Sequence, residues 1–349
     1  MAVYNPDQQL QDELENTFVR CLQSKRPILT HLNADTSWLL QIPCPSTSTG
    51  RFFFNILIDP WFKGTQSDVA NFFSVQEHLI TSSVQTIEEL DSNLHEIQRI
   101  AEKALGHGKP RRFNHESESC IDAVAISHEF TDHCHKATLM ELDPSIPVFA
   151  TDKAADLIRS WKHFQTVVTT PAFAADDPDW EKTSVNPLPE YIGISRIVTA
   201  GNQLYYHSAV MITFSSGTED DSAEAVIYSP HGIVADDLQH LTIASPPIRT
   251  LALLHGLHDV GITWTKQLNL GGHNGLRAQR ICKAKYWVGT HDEIKKPGGL
   301  IAPFLRRTVI SVKQALAMEQ TGYTAPDIPA ELEKVHFSDL QSGESLLLE

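Results

Sequence analysis

Short apolar runs separated by turn-forming residues dominate the chain after its first 26 residues. Residues 1–26 form a polar segment in which Leu10, Leu14 and Phe18 recur at a spacing of four, a pattern that predicts one amphipathic helix. The runs HLNADTSWLLQIP and RFFFNILIDP flank the turn-rich stretch CPSTSTG, so we expect two strands joined as a hairpin. A second helical periodicity covers residues 82–105.

Strands and helices alternate beyond residue 120. The runs IDAVAIS, ISRIVTA, QLYYHSAVMITF, EAVIYSP, RTLALLHGL and KYWVGTHDE are predicted strands. PVFATDKAADLIRSW predicts a strand that leads into a helix capped by Thr151 or Asp152, and GGHNGLRAQRICKAK predicts another helix. A last helix is expected near 307–320. No fixed-period repeat occurs, and the pattern indicates an α/β domain with sheets inside and helices outside.

These patterns divide the chain into three parts. We expect an N-terminal helical extension over residues 1–27, one α/β domain over 28–320, and an acidic C-terminal tail over 321–349. The tail is rich in proline and acidic residues, so we expect it to fray.

Composition narrows the classes of function. The 43 acidic and 28 basic residues give a net charge of −15, which argues against nucleic acid or an anionic membrane as a partner. No apolar run approaches the ~20 residues of a membrane span, and the first residues do not resemble a secretory signal. Five scattered cysteines are typical of reduced thiols, so we expect a cytoplasmic protein. With 17 histidines, any metal would be bound by imidazole and carboxylate groups.

The strongest chemical motif is SHEFTDHCH, which directly follows the predicted strand IDAVAI. It places His128, Asp132 and His133 in a tight loop at a strand end, and their side chains are ligands that zinc accepts at ~2.0–2.2 Å. The motif differs from a helical HExxH site, because Asp132 occupies the fourth position after His128. The alternative is a polar turn whose histidines are exposed or hydrogen-bonded.

Other candidate ligands follow other predicted strands. Asp59 ends ILIDP, His207 lies in QLYYHSAVMITF, His231 follows EAVIYSP, and His291 follows KYWVG. Each of these taken singly is typical of a polar residue at a strand end. Their order along the chain is the informative feature.

This ordered series resembles the metallo-β-lactamase superfamily. The family's landmarks are a strand-terminal aspartate, an HxHxDH loop, a histidine, an aspartate and a last histidine. The residues that match a landmark are Asp59, His128, Asp132, His133, His207 and His291. The resemblance covers roughly residues 28–300 and implies an αββα sandwich, two β-sheets flanked by helices. The final strand, helix and VGTH look closer to the lactonase and phosphodiesterase branches.

Two positions depart from the family pattern. Phe130 replaces the second histidine of the loop and cannot bind a metal, and His231 stands where the family has an aspartate that bridges two ions. A neutral imidazole offers one nitrogen lone pair, so His231 cannot bridge as a carboxylate does. The departures therefore predict an altered metal site.

The resemblance still implies at least one bound ion. It implies that Asp132, His133 and His291 form one ligand trio with an open position, as in catalytic zinc sites. His128 and His207, with His231 as a third nitrogen donor, would form a second and weaker site. The alternative is a single ion between the two half-sites, held mainly by histidines. Zinc is the expected metal, and iron or manganese are the alternatives.

The favoured function is hydrolysis of an ester, lactone, thioester or phosphodiester of a small molecule by metal-activated water. Asp132 would orient or deprotonate the water, and His231 or His128 would transfer protons. A binding protein that has lost hydrolysis and a mononuclear iron redox enzyme on the same fold remain alternatives. His255 and His258 are further pocket candidates.

Overall fold

The computed structural model describes residues 6–45, 50–67, 75–104, 118–198, 207–215, 222–262, 266–298, 305–321 and 335–349. Its helices are α1 (Pro6–Ser24), α2 (Ile87–Ala104), α3 (Lys136–Leu139), α4 (Asp152–Ser160), α5 (Gly272–Cys282) and α6 (Val312–Gln320). Shorter 3-10 helices cover Trp180–Thr183 and Ala235–Ile243. None of the helices in these ranges is long and apolar enough to cross a membrane.

Two large sheets form the centre of the fold. The first contains, in spatial order, β18 (Ser345–Leu347), β1 (Ile28–His31), β2 (Trp38–Pro43), β3 (Phe53–Ile58), β5 (Ala123–Ile126), β6 (Val148–Ala150) and β7 (Val167–Thr169). The second contains β17 (Phe337–Ser338), β14 (Tyr286–Val288), β11 (Ile248–His255), β10 (Ala223–Ser229), β9 (Ala209–Phe214) and β8 (Ile192–Ile197).

Two small sheets lie beside them. One consists of β13 (Lys266–Asn269), β12 (His258–Ile262) and β16 (Leu305–Val309), and the other of β15 (Lys296–Gly298) and β4 (Val75–Glu77).

The large sheets pack face to face because their strands are apolar on both sides. Ile56 of β3 points inward and belongs to one buried cluster with Ile212 of β9, whereas its neighbour Leu57 points outward. On that outer side, Leu57 shares a second cluster with Leu90 of α2 and with residues of α4. The second sheet is covered in the same way, since Ile227 of β10 clusters with residues of α5. The layers are therefore helix, sheet, sheet and helix, which confirms the predicted αββα class.

Several predicted elements are confirmed. The hairpin is β2 paired antiparallel with β3, with Trp38 opposite Ile58. The amphipathic patterns correspond to α1 and α2, which pack together through a cluster that includes Phe18 and Ala101. Thr151 is the N-cap residue of α4, although its side chain makes no cap hydrogen bond.

Of two expectations about the C-terminal part, one is confirmed and one is wrong. The helix predicted near 307–320 is α6, which begins only at Val312 because residues 305–309 form strand β16 and pair with β12. The tail is not frayed at its end, because β18 pairs antiparallel with β1 and Leu348 is fully buried. The apolar run SLLL was too short to stand out in an acidic segment, but it completes the edge of the first sheet.

Candidate metal centre

The candidate ligands meet where strands of both large sheets end. The parallel strands β3 and β5 of the first sheet lead into Asp59 and into the loop that carries His128 and His133. Strand β10 leads into His231, and β14 leads into His291. Because parallel strands end at the same edge of a sheet, residues distant in sequence converge there.

Three imidazoles form the centre of this cluster: His133, His231 and His291, called the histidine trio below. One ligand atom from each lies within 4.8 Å of the other two, and the ring centroids are 4.9 to 5.1 Å apart. His128 lies beside them, with its ring centroid 4.8 Å from that of His231. The loop motif and the two later strand-end histidines are thus brought together.

Each member of the histidine trio has its Nδ1 held by an oxygen. His133 Nδ1 donates to Asp59 Oδ2 at 2.7 Å, and His231 Nδ1 donates to Asn269 Oδ1 at 3.0 Å. His291 Nδ1 donates to the carboxylate of Asp35 at 3.1 and 3.2 Å. Such second-layer acceptors fix the tautomer and orientation of metal-binding histidines. They leave Nε2 of each ring as the ligand atom.

His133 shows most clearly a ring nitrogen that is available to a metal ion. Its Nε2 is buried and makes no hydrogen bond within the described part of the chain, and the nearest carboxylate oxygen, Asp132 Oδ1, is 3.6 Å away. A buried polar atom without a partner is costly unless another ligand satisfies it. The donor set and its geometry therefore fit a borderline divalent cation such as zinc.

Protonation states also suit metal binding at two of the three rings. Burial, and then the charges of His133 and His291, lower the pKa of His231 well below its usual value. Burial lowers the pKa of His291 as well, although the Asp35 carboxylate opposes it. Neutral imidazoles keep the lone pair that a metal ion requires. At His133 burial is outweighed by the carboxylates of Asp132 and Asp59, which raise its pKa.

The backbone is strained at two of the site residues. Asp59 and His291 adopt φ values of 42° and 58°, in the left-handed region that residues with a Cβ rarely occupy. Hydrogen bonds hold both: Asp59 N–H donates to the carbonyl of Ala125, and His291 N–H donates to that of Asp35. Conformations of this kind cost about 1–3 kcal/mol and concentrate at functional sites.

Asp132 does not lie alone beside the histidines. The ammonium of Lys295 is 3.1 Å from Asp132 Oδ2 and 2.6 Å from Asp35 Oδ2, and all three side chains are buried. Burial favours the neutral acid, but Lys295 and the neighbouring histidines outweigh it and hold the pKa of Asp132 well below its usual range. Asp132 is therefore a carboxylate at neutral pH.

Asp35 and Lys295 are functional candidates that the sequence did not indicate. Asp35 lies in the turn between β1 and β2, where its N–H donates to the Asn33 side chain. Lys295 follows His291 by four residues. A polar turn and a lone lysine carry no motif, and only the fold shows that both face Asp132.

His207 occupies a different position from the trio. Its Nδ1 donates to the backbone carbonyls of His231 and Gly232 at 3.2 and 3.0 Å, so the ring contacts the loop that carries His231. Phe130, which replaces the family's second loop histidine, lies 5.7 Å from the ring of His231. The two departures from the family pattern are therefore neighbours.

The other histidine candidates have protein partners. His255 is fully buried, with Nδ1 donating to the Gly256 carbonyl at 2.8 Å and Nε2 accepting from Asn274 at 3.0 Å. His258 Nδ1 lies 3.3 Å from the guanidinium of Arg307.

A cavity of about 210 Å³ opens beside the trio. His231, His291, Asp132, Lys295 and Phe130 line this cavity. Residues of the β13–β12–β16 sheet line it as well, namely Val260, Leu268, Leu305 and Arg307. A small molecule entering this cavity would meet both apolar surface and the charged centre.

Comparisons with known proteins concern the fold. No protein-family model and no curated protein sequence match the chain. A solved structure described as a possible metal-dependent hydrolase from Veillonella parvula aligns at a TM-score of 0.53 and 13% identity, covering 93% of this chain and all of that one. An isothiocyanate hydrolase from Delia radicum gut bacteria aligns at a TM-score of 0.50 and 14% identity, covering 91% of this chain and 98% of that one.

At such identities structural similarity establishes the fold and leaves the activity open. The two alignments span nearly the whole chain, the layers are helix, sheet, sheet and helix, and the histidines lie at the strand ends that the family resemblance implies. The chain therefore has the metallo-β-lactamase fold.

Proposed function

We propose that the protein is a metal-dependent hydrolase of a small-molecule substrate, with zinc bound by His133, His231 and His291. The observation that carries the proposal is the second layer of the histidine trio, in which Asp59, Asn269 and Asp35 each hold one Nδ1. Three oriented imidazoles form a ligand set that catalytic zinc sites use, with the fourth position left for water or substrate.

Zinc, when bound, supplies a Lewis acid that activates water and polarises a carbonyl or phosphoryl oxygen. Asp132 is the residue placed to orient the attacking water and to accept its proton, because its carboxylate lies 3.6 Å from His133 Nε2 and borders the cavity. His231 has its Nδ1 bound by Asn269, which favours a role as ligand over a role in proton transfer. His128 remains the candidate for moving protons.

This chemistry indicates the feature that a substrate must have, which several compound classes share. Esters, lactones, thioesters and phosphodiesters all present an electrophilic centre next to an oxygen that a cation stabilises. One of the similar structures is an isothiocyanate hydrolase, so an isothiocyanate belongs in the same panel of test compounds. The cavity is small and is lined in part by the apolar side chains of Val260, Leu268 and Leu305, which favours a compact, partly apolar substrate.

The test is metal content together with turnover. Protein expressed with added zinc, iron and manganese would be analysed for bound metal and assayed on one compound of each class, before and after chelation. We expect zinc at about one equivalent and turnover that chelation abolishes and zinc restores. The His231→Ala variant should lose both, whereas the exposed His273→Ala control should keep both.

Three results would contradict the proposal. Less than about a tenth of an equivalent of any transition metal would remove the proposed centre. Bound metal without turnover of any compound would favour the alternative of a binding protein, and iron with oxygen consumption would favour the redox alternative.

A further inference from the structure

Lys295 places a permanent positive charge inside the metal centre. Its side chain is 5% exposed, and its ammonium is within 3.1 Å of the carboxylates of both Asp35 and Asp132. The ring of Trp61 adds a third favourable contact, at 5.2 Å from the nitrogen. One lysine thus neutralises part of the charge of two buried acids, called the acid pair below.

The acid pair is itself a ligand set for a cation. Ligand atoms of Asp35, Asp132 and His291 lie within 4.8 Å of one another, and carboxylates with an imidazole are suitable ligands for zinc or manganese. This group shares His291 with the histidine trio, and the single lone pair of that ring serves the trio, so a second ion here would be held by the two carboxylates. The Lys295 ammonium contacts two of its three members, so it stands where a metal ion would balance their charge.

The backbone around Lys295 fixes this position. The Lys295 N–H donates to the carbonyl of Glu293, and the Glu293 carboxylate accepts the N–H groups of Leu79 and Ile80 at 2.8 and 3.0 Å. His78 also contacts Glu293, at 2.5 Å. The segment after His291 is therefore tied to the chain before α2, and the lysine enters the acid pair from an anchored backbone.

We propose that Lys295 is a built-in cation that takes the place of a second metal ion, so that the centre holds one ion on the histidine trio. The inference rests on the proposed function, because it assumes that the trio binds metal. It adds the number of ions and names the group that provides the second positive charge beside the cavity. A buried carboxylate pair without a counter-charge is strongly unfavourable, which gives the lysine a physical reason to be there.

The test counts zinc ions in three forms of the protein. Each form would be saturated with zinc, freed of loose metal by gel filtration and analysed for metal per chain. We expect about one ion in the wild type and about two in Lys295→Met, where the acid pair becomes available. Lys296→Met is the matched control, because Lys296 is 71% exposed and pairs with the partly exposed Glu77, and it should bind about one ion.

Thermal unfolding gives a second measurement. Without metal, Lys295→Met should unfold at a lower temperature than the wild type, since the buried carboxylates of Asp35 and Asp132 lose the ammonium that balances their charge. Zinc should raise the unfolding temperature of this variant more than that of the wild type. Where the methionine variant does not fold, Lys295→Gln replaces it, because its amide still donates to one carboxylate, and two ions are again expected.

The outcomes separate this inference from the proposed function. Two ions in the wild type, or one ion in each folded Lys295 variant, would overturn the inference and leave the hydrolase proposal intact. No bound metal in the wild type would overturn both.

Discussion

Asp35 and His291 lie 256 residues apart in the sequence, yet the carboxylate of Asp35 accepts the Nδ1 proton of His291 at 3.1 and 3.2 Å. The backbone carbonyl of Asp35 also accepts the His291 N–H, at 2.8 Å. The turn between β1 and β2 thereby orients His291, whose φ of 58° needs such support. This contact connects the start of the first sheet to the end of the second.

The first prediction concerns this contact. Asp35→Asn removes the charge that orients His291 and one of the two partners of Lys295, so zinc affinity should fall roughly 10- to 100-fold. Competition with a chromophoric chelator would measure the change. The control is Asp236→Asn, which alters an exposed pair with Arg277 and should leave the affinity unchanged. Equal affinities of wild type and Asp35→Asn would show that the trio does not depend on its second layer.

A second prediction separates ligands from residues that position them. His231→Ala removes a member of the histidine trio and should leave less than about a fifth of an equivalent of zinc after gel filtration. His207→Ala removes the hydrogen bonds to the loop of His231 and leaves the three ligands in place, so it should still bind about one ion, with roughly 10-fold weaker affinity. Loss of the ion in His207→Ala would instead support the ligand role that the family resemblance implies for this residue.

The third prediction concerns stability. Glu293 is almost fully buried and accepts hydrogen bonds from Leu79 and Ile80 while contacting His78. Glu293→Ala leaves these donors unpaired, so the free energy of unfolding should fall by about 3 kcal/mol. Urea unfolding in the presence of a chelator would measure it.

The matched control for that measurement is Glu319→Ala. Glu319 pairs with Arg280 at 3.3 Å and is partly exposed, so its loss should cost about 1 kcal/mol or less. If both variants lost equal stability, Glu293 would not anchor the segment between His291 and Lys295.

The fourth prediction is a pH dependence. Burial lowers the pKa of His255 to about 4, whereas in the unfolded chain it is near its usual 6.5. The folded protein therefore binds fewer protons than the unfolded chain between these values, and stability is lost as the pH falls from about 6.5 to about 4. This residue can contribute up to about 3 kcal/mol to that loss.

His255→Gln removes this contribution while keeping a polar side chain beside Asn274. Its free energy of unfolding should fall less steeply than that of the wild type over the same pH range, measured with a chelator present. Other buried histidines make the free energy of unfolding depend on pH in both proteins. The quantity to compare is therefore the difference between the two slopes of free energy against pH. Parallel curves would mean that His255 is accessible to protons in the folded state.

The sequence predicts the site where local patterns place ligands at strand ends. His128, His133, His231 and His291 follow strands that are recognisable from apolar runs, and parallel strands bring their ends together. The helix-sheet-sheet-helix layering is also predicted correctly, because a sheet whose strands are apolar on both faces must be covered on both sides. The predicted start of the last helix, near residue 307, is about five residues too early. Residues 305–309 pair with β12 as a strand, and this pairing overrides their weak local preference for a helix.

Of the residues that surround the ligands, the sequence indicated Asp59 but not Asp35 or Lys295. Lys295 contacts the carboxylates of both Asp35 and Asp132, from which it is separated by 260 and 163 residues of chain, and neither Asp35 nor Lys295 lies in a motif of its own. His231 appears from sequence as a defective replacement for an aspartate, whereas in the fold it completes a trio of imidazoles. Such roles depend on distances between loops, and residue spacing along one strand does not encode them.

X-ray absorption spectroscopy at the zinc edge of the zinc-loaded wild-type protein would show how many imidazoles bind the ion and whether a second ion lies nearby. We expect one zinc per chain, with three imidazole nitrogens at about 2.0–2.1 Å and one further light ligand. A zinc–zinc distance of about 3.5–4 Å, or a first shell with fewer than three imidazoles, would contradict this expectation.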